Sequence, residues 1–219
     1  MLLASMVFVL LTLYACYIII INQRFASQNF SYMNNDKTQY RKFRFGSRKV
    51  VMVHGLRNGV MLMSDSISVE VRNGDVSAFR SEMGNDTLRF IFDQAAADVF
   101  LYLPNGTHLV VDSSALEMRG SLDDRVRPEY DFDLRSSSLL ATGHKMHAFV
   151  GKLAVSASGN SRLEIARYFH VNELDLHNVH NASFAQGWQI GNLKTVFEEG
   201  RNVVVDKYRD SVAIHPVSF

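Results

Sequence analysis

The sequence predicts an all-β protein, a parallel β-solenoid with coils of about 21 residues, preceded by one N-terminal transmembrane α-helix. Three observations predict it. Residues 2–21 contain no charge and no proline, short segments of alternating apolar and polar residues begin at residue 43, and apolar residues recur at intervals of 21. We therefore divide the chain into a transmembrane helix at 1–22, a linker or stalk at 23–42 and a right-handed β-helix domain at 43–219.

The uncharged segment 2–21 is long enough to cross a membrane, because twenty residues in a helix reach about 30 Å. It lacks the basic start, short apolar region and small-residue cleavage site of a signal peptide. "LYAC", ending at Cys16, is similar to a lipoprotein box, but Tyr14 and the following "YIIII" argue against processing there. A retained anchor is the prediction, and a lipidated Cys16 or a removed signal are the alternatives.

The composition limits the classes of partner and chemistry. The formal charge of the 219 residues is +1, which gives no electrostatic reason to expect a nucleic-acid partner. Cys16 is the only cysteine, so no internal disulfide can form. The sequence has no Gly-rich phosphate loop, no Ser-centred nucleophile elbow and no zinc-protease helix motif. We therefore expect no catalytic residues and no cofactor.

The segments after residue 43 have the two-residue period of half-buried strands. In "SISVEVRNG", Val69 and Val71 alternate with Glu70 and Arg72. "RNG" and "PNG" supply turn residues between such segments. Residues 22–42, in contrast, are polar and without periodicity, which indicates a linker.

The strands repeat at a fixed interval. Positions taken every 21 residues form two columns of six, and the second column lies two positions after the first. All twelve positions are apolar except Ser113 and Thr195, and Thr195 still offers a methyl group. The columns are Phe90, Val111, Phe132, Leu153, Leu174 and Thr195, and Phe92, Ser113, Leu134, Val155, Leu176 and Phe197. This pattern predicts parallel strands stacked one coil above the next. Leucine-rich repeats have a similar period, but the run of leucines and the return segment of each repeat are missing.

Polar columns predict the corners and the outer face. Asn160, Asn181 and Asn202 align, and asparagine tolerates the left-handed backbone of a sharp corner. Ser113, Ser114 and residues 136–138 are placed as corner residues that stack between coils. A charged column of alternating sign is expected to pair along the outside, and its members are Asp131, Lys152, Glu173 and Lys194.

The order of these segments resembles the bacterial putative autotransporter adhesin, head GIN domain family. The resemblance rests on "VVMVHGLRNGVMLMSDSISVEVRNG", "NDTLRFIF", "DVFLYLPNGTHLVVDSSALEMRG" and "LAVSASGNSRLEI", and it covers residues 43 to about 214. It implies a right-handed β-helix outside the cytoplasm and brings no catalytic residues. Family members usually carry an export signal or a lipid anchor, whereas this chain is expected to keep its membrane helix.

Two pairs of residues are candidates for cation binding. Asp112 and Asp133 are predicted on adjacent coils of one outward column, where two carboxylates could hold a cation. His177 and His180 in "DLHNVHN" are metal-capable side chains, and His144 and His147 repeat their spacing. Solvated surface groups remain the favoured interpretation of both sets.

The expected function is a membrane-anchored, extracytoplasmic binding or scaffolding module, adhesin-like or part of an envelope complex. Its expected partners are the membrane through residues 2–21 and an envelope protein, a glycan or a second copy of the chain. A carbohydrate-active enzyme on the same β-helix is the alternative function. Lys and Arg after the span favour a cytoplasmic domain by the positive-inside tendency, whereas the family resemblance favours the periplasmic side.

Overall fold

A computed structural model describes residues 39–93, 98–143, 146–185, 189–196, 202–208 and 211–217, with the last two ranges and residue 189 described only as backbone. The chain divides into two compact units, Met1–Tyr40 and Arg41–Phe219. No helix of the described residues is long and apolar enough to cross a membrane. The predicted anchor at 2–21 lies outside these residues, as does Cys16.

The second unit is built of strands, which confirms the all-β class. One short 3₁₀ helix, Asn73–Ala78, is the only helical element of more than one residue in the described ranges, and the first strand begins inside the segment predicted as a linker. The strands are β1 (Tyr40–Arg44), β2 (Val50–His54), β3 (Gly59–Met63), β4 (Ser68–Arg72), β5 (Phe79–Met83), β6 (Thr87–Phe92), β7 (Val99–Leu103), β8 (His108–Asp112), β9 (Ala115–Arg119), β10 (Glu129–Arg135), β11 (Ser138–Thr142), β12 (Ala148–Ser158), β13 (Arg162–Ile165), β14 (Phe169–His177), β15 (Ala182–Ala185), β16 (Gln189–Val196), β17 (Asn202–Tyr208) and β18 (Ser211–Val217).

The strands form two large sheets. One has ten strands in the order β1-β4-β7-β3-β9-β11-β13-β15-β18-β17, and the other has eight in the order β16-β14-β12-β10-β8-β2-β6-β5. From β6 to β16 the chain alternates between the two sheets. Every ladder between β6 and β16 in the smaller sheet, and between β7 and β15 in the larger one, is parallel.

The alternation of side chains places one apolar core between the sheets. In β6, for example, Leu88, Phe90 and Phe92 are buried while the residues between them are half-buried. The four largest fully buried side chains are phenylalanines, at positions 90, 132, 169 and 184. They come from both sheets, so burial of these rings holds the two sheets together.

The spacing between paired strands is not constant. The partners in the smaller sheet are Leu109 with Phe132, Phe132 with Val155, Val155 with Leu176, and Leu176 with Thr195. Only the interval from Val155 to Leu176 equals the predicted period. The intervals from Leu109 to Phe132 and from Phe132 to Val155 are two residues longer, and the interval from Leu176 to Thr195 is two residues shorter.

Two predicted contacts within the apolar columns have different outcomes. The predicted neighbours Leu153 and Leu174 are confirmed. The predicted contact of Phe132 with Leu153 is wrong, because Tyr130 lies opposite Leu153. The longer interval between β10 and β12 therefore changes which residues meet, although both candidates are buried.

The predicted asparagine corner is wrong, and a different corner takes its role. Backbone φ is positive at the residue that follows each of five neighbouring strands of the smaller sheet: Gly55, Ser113, Ser136, Gly159 and Asn178. Asn160 and Asn181 are not among the residues with positive φ. Gly159 already takes the left-handed conformation just before Asn160, and glycine does so without steric cost.

The predicted stacking of serines at this corner is confirmed for Ser114 and Ser137, which Ser161 joins, whereas Ser138 begins β11. The main-chain N–H of Leu56 donates to Ser114 Oγ at 2.9 Å, that of Ser114 to Ser137 Oγ at 3.0 Å, and that of Ser137 to Ser161 Oγ at 3.2 Å. The three serines are 4–6% exposed. Each hydroxyl therefore satisfies a buried amide of the neighbouring strand layer.

Antiparallel strands close the ends of the parallel ladders. β4 pairs with β7 and β5 with β6 at one end, and β18 pairs with β15 and β17 at the other. β2 and β3 come early in the chain, but each lies between two later strands. β2 lies between β8 and β6 in the smaller sheet, and β3 lies between β9 and β7 in the larger one. The chain order of the strands is therefore not their spatial order.

Candidate binding surfaces

A shallow depression of about 270 Å³ lies on the outer face of the ten-stranded sheet. It exists because two neighbouring outward positions are small, since Ala115 on β9 lies opposite Ser138 on β11. Larger side chains rise on the flanking positions. We call this depression the trough and define it by Ala115, Glu117, Ser138, Leu140, Arg162 and Glu164.

The trough combines carboxylates with an apolar side chain. Leu140 on β11 lies directly opposite Glu117 on β9 and Glu164 on β13. One carboxylate therefore stands on each side of the leucine. Arg119 Nε donates to Glu117 Oε1 at 2.8 Å, and Arg162 Nη2 donates to Glu164 Oε2 at 3.2 Å. Each carboxylate is thereby held in place, and its remaining oxygen can accept a hydrogen bond from a ligand.

The predicted carboxylate pair does not form as expected. Val110, not Asp112, lies opposite Asp133, and Asp112 lies opposite Arg135. Asp133 accepts a bond from Arg135 at 2.7 Å, and Asp112 is bonded to His54 at 2.9 Å. A guanidinium therefore occupies the position that the prediction gave to a second carboxylate.

The environment of Asp112 lowers its pKa. Burial acts to raise this pKa, but the hydrogen bonds that the carboxylate makes with His54 and Ser113 outweigh burial, with further help from the charges of His54 and Arg135. Hydrogen bonds to an ionised carboxylate favour the charged form. This pair forms a side-chain hydrogen bond between β2 and β8.

The predicted histidine candidates are not brought together as ligands. His177 ends β14 opposite Ser156 and Val196, and His180 is exposed in the connection to β15. The ranges that the structure describes contain no group of three or more His, Cys, Asp or Glu residues placed to hold a metal ion. His144 lies outside those ranges.

The predicted charge column is correct only in part. Lys152 and Glu173 lie opposite each other and are bonded at 2.8 Å, as expected. Lys152 also reaches Asp175 at 2.9 Å. Asp131 instead pairs with His108 at 2.7 Å, because Glu129 and not Asp131 lies opposite Lys152.

Sequence reasoning missed a row of contacting rings, which we call the aromatic ridge and define as Phe149, His170, His147 and Tyr168. Phe149 and His170 lie opposite each other on β12 and β14, with ring centroids 4.9 Å apart. His147 follows at 5.0 Å from His170, and Tyr168 at 5.0 Å from His147. The ridge therefore forms an unbroken chain of ring contacts.

The two histidines meet edge to edge. Their nitrogens His147 Nδ1 and His170 Nε2 are 2.7 Å apart, and the ring planes differ by 17°. A centroid separation of 5.0 Å together with so short a nitrogen contact means that the rings are nearly coplanar. His170 is 9% exposed, whereas His147 is exposed.

Arginines stand at both ends of the ridge. The Arg127 guanidinium lies 5.5 Å from the Phe149 ring centroid and donates to Asn172 Oδ1 at 2.6 Å. The Arg167 guanidinium lies 5.9 Å from the Tyr168 ring centroid. A spacing of 23 residues between His147 and His170 was the available sequence signal, and the shorter fixed period of the prediction hides it.

Comparisons with known proteins give only distant similarities. No family model and no curated protein matches the chain. The solved structures that resemble it include a putative lipid binding protein and a putative adhesin from Parabacteroides distasonis, and a putative adhesin from Parabacteroides merdae. In that order, their sequence identities to this chain are 11%, 12% and 10%, and their TM-scores are 0.36, 0.35 and 0.32. Each match covers 72% of this chain, and the matches cover 77%, 74% and 95% of the other chains. None of the three is named as an enzyme.

Proposed function

We propose that this protein is a non-catalytic binding module that holds a segment of a glycan in the trough. The observation that carries the proposal is the row of Glu117, Leu140 and Glu164 on adjacent strands. A sugar ring offers hydroxyl groups as hydrogen-bond donors around its edge and an apolar C–H face. Two fixed carboxylates and a leucine match that combination, as ligand sites pair apolar contact with a few placed polar groups.

The scaffold of the proposal is a right-handed parallel β-helix. Its support is the alternation of the chain between two sheets, in which each strand from β8 to β14 in the smaller sheet is parallel to the next strand of that sheet. Right-handed connection is the hand that parallel strands of one sheet favour. The resemblance to the head GIN domain family belongs to the same proposal, since it implies the same scaffold.

The proposal places the module outside the cytoplasm, anchored through residues 2–21. Its support is the uncharged length of that segment together with the family resemblance. A cysteine introduced by Ser218→Cys, with Cys16→Ser to remove the native thiol, tests the side of the membrane. We expect a membrane-impermeant maleimide to label intact spheroplasts, and labelling only after lysis would place the domain in the cytoplasm.

The alternative, a carbohydrate-active enzyme, gains no support from the trough. Glycoside hydrolysis needs one carboxyl group that can donate a proton to the leaving oxygen. Glu117 and Glu164 are instead each bonded to a guanidinium. The trough is also shallow, so water has free access to a bound ligand.

Filling the trough tests the proposal. Ser138→Trp places a large ring on its floor, and Ser156→Trp places the same ring on an outward position of β12, in the other sheet. Binding is measured on immobilised neutral, amino-substituted and acidic oligosaccharides. We expect wild type and Ser156→Trp to bind a common set of sugars and Ser138→Trp to lose it.

Two results would contradict the proposal. Equal binding by the two tryptophan variants would mean that the trough is not the site. Cleavage of a bound oligosaccharide, followed by chromatography of the products, would show that the protein is an enzyme.

A further inference from the structure

The aromatic ridge has a chemistry that the trough lacks, because its exposed groups are rings and cations. Tyr168 is 38% exposed, and Arg127, His147 and Arg167 are exposed as well. Neither Arg127 nor Arg167 forms a salt bridge within the described residues. Most of the charged trough and sheet residues, by contrast, are in ion pairs, such as Arg119 with Glu117.

The arginines of the ridge are arranged for an outside acceptor. A guanidinium stacked on a ring keeps its N–H edge free to make two parallel bonds to a carboxylate or sulfate. Arg127 already uses one nitrogen on Asn172, which fixes its side chain over Phe149. Preorganised side chains bind at a lower entropic cost than mobile ones.

We propose that the aromatic ridge binds an acidic saccharide. One sugar ring lies against Tyr168 with its carboxylate or sulfate on the guanidinium of Arg167, and the acid group of a sugar further along the saccharide reaches Arg127 at the other end of the ridge. This site is independent of the trough. Aromatic faces suit the apolar face of a sugar, and two guanidiniums without a carboxylate partner in the described part of the chain suit an anion.

Several elements of the described part of the chain place side chains around the ridge. The loop between β9 and β10 contributes Arg127, and the turn before β14 contributes Arg167 and Tyr168. β12 contributes the uncharged Phe149. Further along the same strands, Lys152 and Glu173 neutralise each other at 2.8 Å. Among the described residues no carboxylate forms a salt bridge with Arg127 or Arg167, so an acidic ligand would supply the opposite charge.

The test uses short oligogalacturonate as the acidic probe and a maltooligosaccharide of equal length as the neutral probe. Affinity is measured by calorimetry at neutral pH in low salt. We expect binding of the acidic probe only, and a loss of about tenfold in Arg127→Ala or Arg167→Ala, as for one charge-assisted contact.

Two variants serve as controls. Arg125→Ala removes the same charge from the same loop, but Arg125 is 85% exposed and paired with Asp123, so we expect unchanged affinity. Ser138→Trp fills the trough and must leave acidic binding intact. Circular dichroism confirms that each variant is folded.

Several results would overturn the proposal. Equal affinity for the two probes would show that charge is not recognised. Equal losses in Arg125→Ala and Arg127→Ala would reduce the effect to net charge. Binding to phosphatidylglycerol vesicles without binding to oligogalacturonate would make the ridge a lipid-facing surface.

Discussion

The main-chain N–H of Ser114 donates a 3.0 Å hydrogen bond to the hydroxyl of Ser137, 23 residues later in the chain. The same hydroxyl lies 2.8 Å from the Arg135 carbonyl and 2.9 Å from that of Val111. Ser137 is 4% exposed, so no solvent competes for these bonds. One small polar side chain thus connects two successive strand layers at their corner.

Ser137→Ala is expected to destabilise the protein by about 1–3 kcal/mol, because the buried N–H of Ser114 would lose its acceptor. Ser156→Ala is the matched control, since Ser156 is half-buried on the outer face of β12. Urea unfolding followed by circular dichroism measures both. The serine corner has no stabilising role if the two variants unfold at the same urea concentration.

Gly55 is expected to be intolerant of a side chain. Its φ is +76°, and an added Cβ would meet the carbonyl oxygen of Phe92. Gly55→Ala should cost at least about 1–2 kcal/mol from the left-handed backbone alone, before the contact is counted. Gly74→Ala is the control, because a Cβ at Gly74 has open space around it. Thermal unfolding of both variants makes the comparison, and equal melting temperatures would contradict the prediction.

Part of the fold could be predicted because strand faces repeat every second position. Phe132 pairs with Val155 and not with Leu153, a shift of two positions. Such a shift keeps every side chain on the same face, so columns drawn at one fixed period stay apolar although the real intervals vary along this sheet. The inward columns were therefore predictable, and the neighbours within them were not.

The sites depend on finer placement than periodicity gives. The carboxylate of Asp133 was predicted beside Asp112, and a shift of two positions put Arg135 there instead. The contact of His147 with His170 needed the interval of 23 residues that the prediction did not use. The trough depends on two facing small side chains, Ala115 and Ser138, which no predicted column placed opposite each other. The antiparallel strands β4 and β5 have no repeat to reveal them.

Two buried tyrosines are expected to respond oppositely to loss of their hydroxyl groups. Tyr130 is 4% exposed, and its hydroxyl has no hydrogen-bond partner among the described residues. Tyr102 donates to Glu70 Oε2 at 3.1 Å. Tyr130→Phe should be neutral or stabilising, because it removes a buried unsatisfied group, and Tyr102→Phe should cost about 1–2 kcal/mol. Urea unfolding decides, and a larger loss in Tyr130→Phe than in Tyr102→Phe would show that the Tyr130 hydroxyl has a partner.

The bond between His54 and Asp112 is expected to make stability depend on pH. The pKa of Asp112 is lowered in the folded protein, because hydrogen bonds and nearby positive charge outweigh burial. A carboxyl with a lowered pKa stabilises the fold above its unfolded pKa, and this contribution disappears as the pH falls through the folded value. Asp112→Asn should therefore be less stable than wild type at neutral pH, with the difference closing in acid. Asp65→Asn, an equal charge change at an exposed position, is the control for net charge. Urea unfolding across the pH range measures the gap, and a gap that stays constant into acid would rule out the ionised carboxylate as its source.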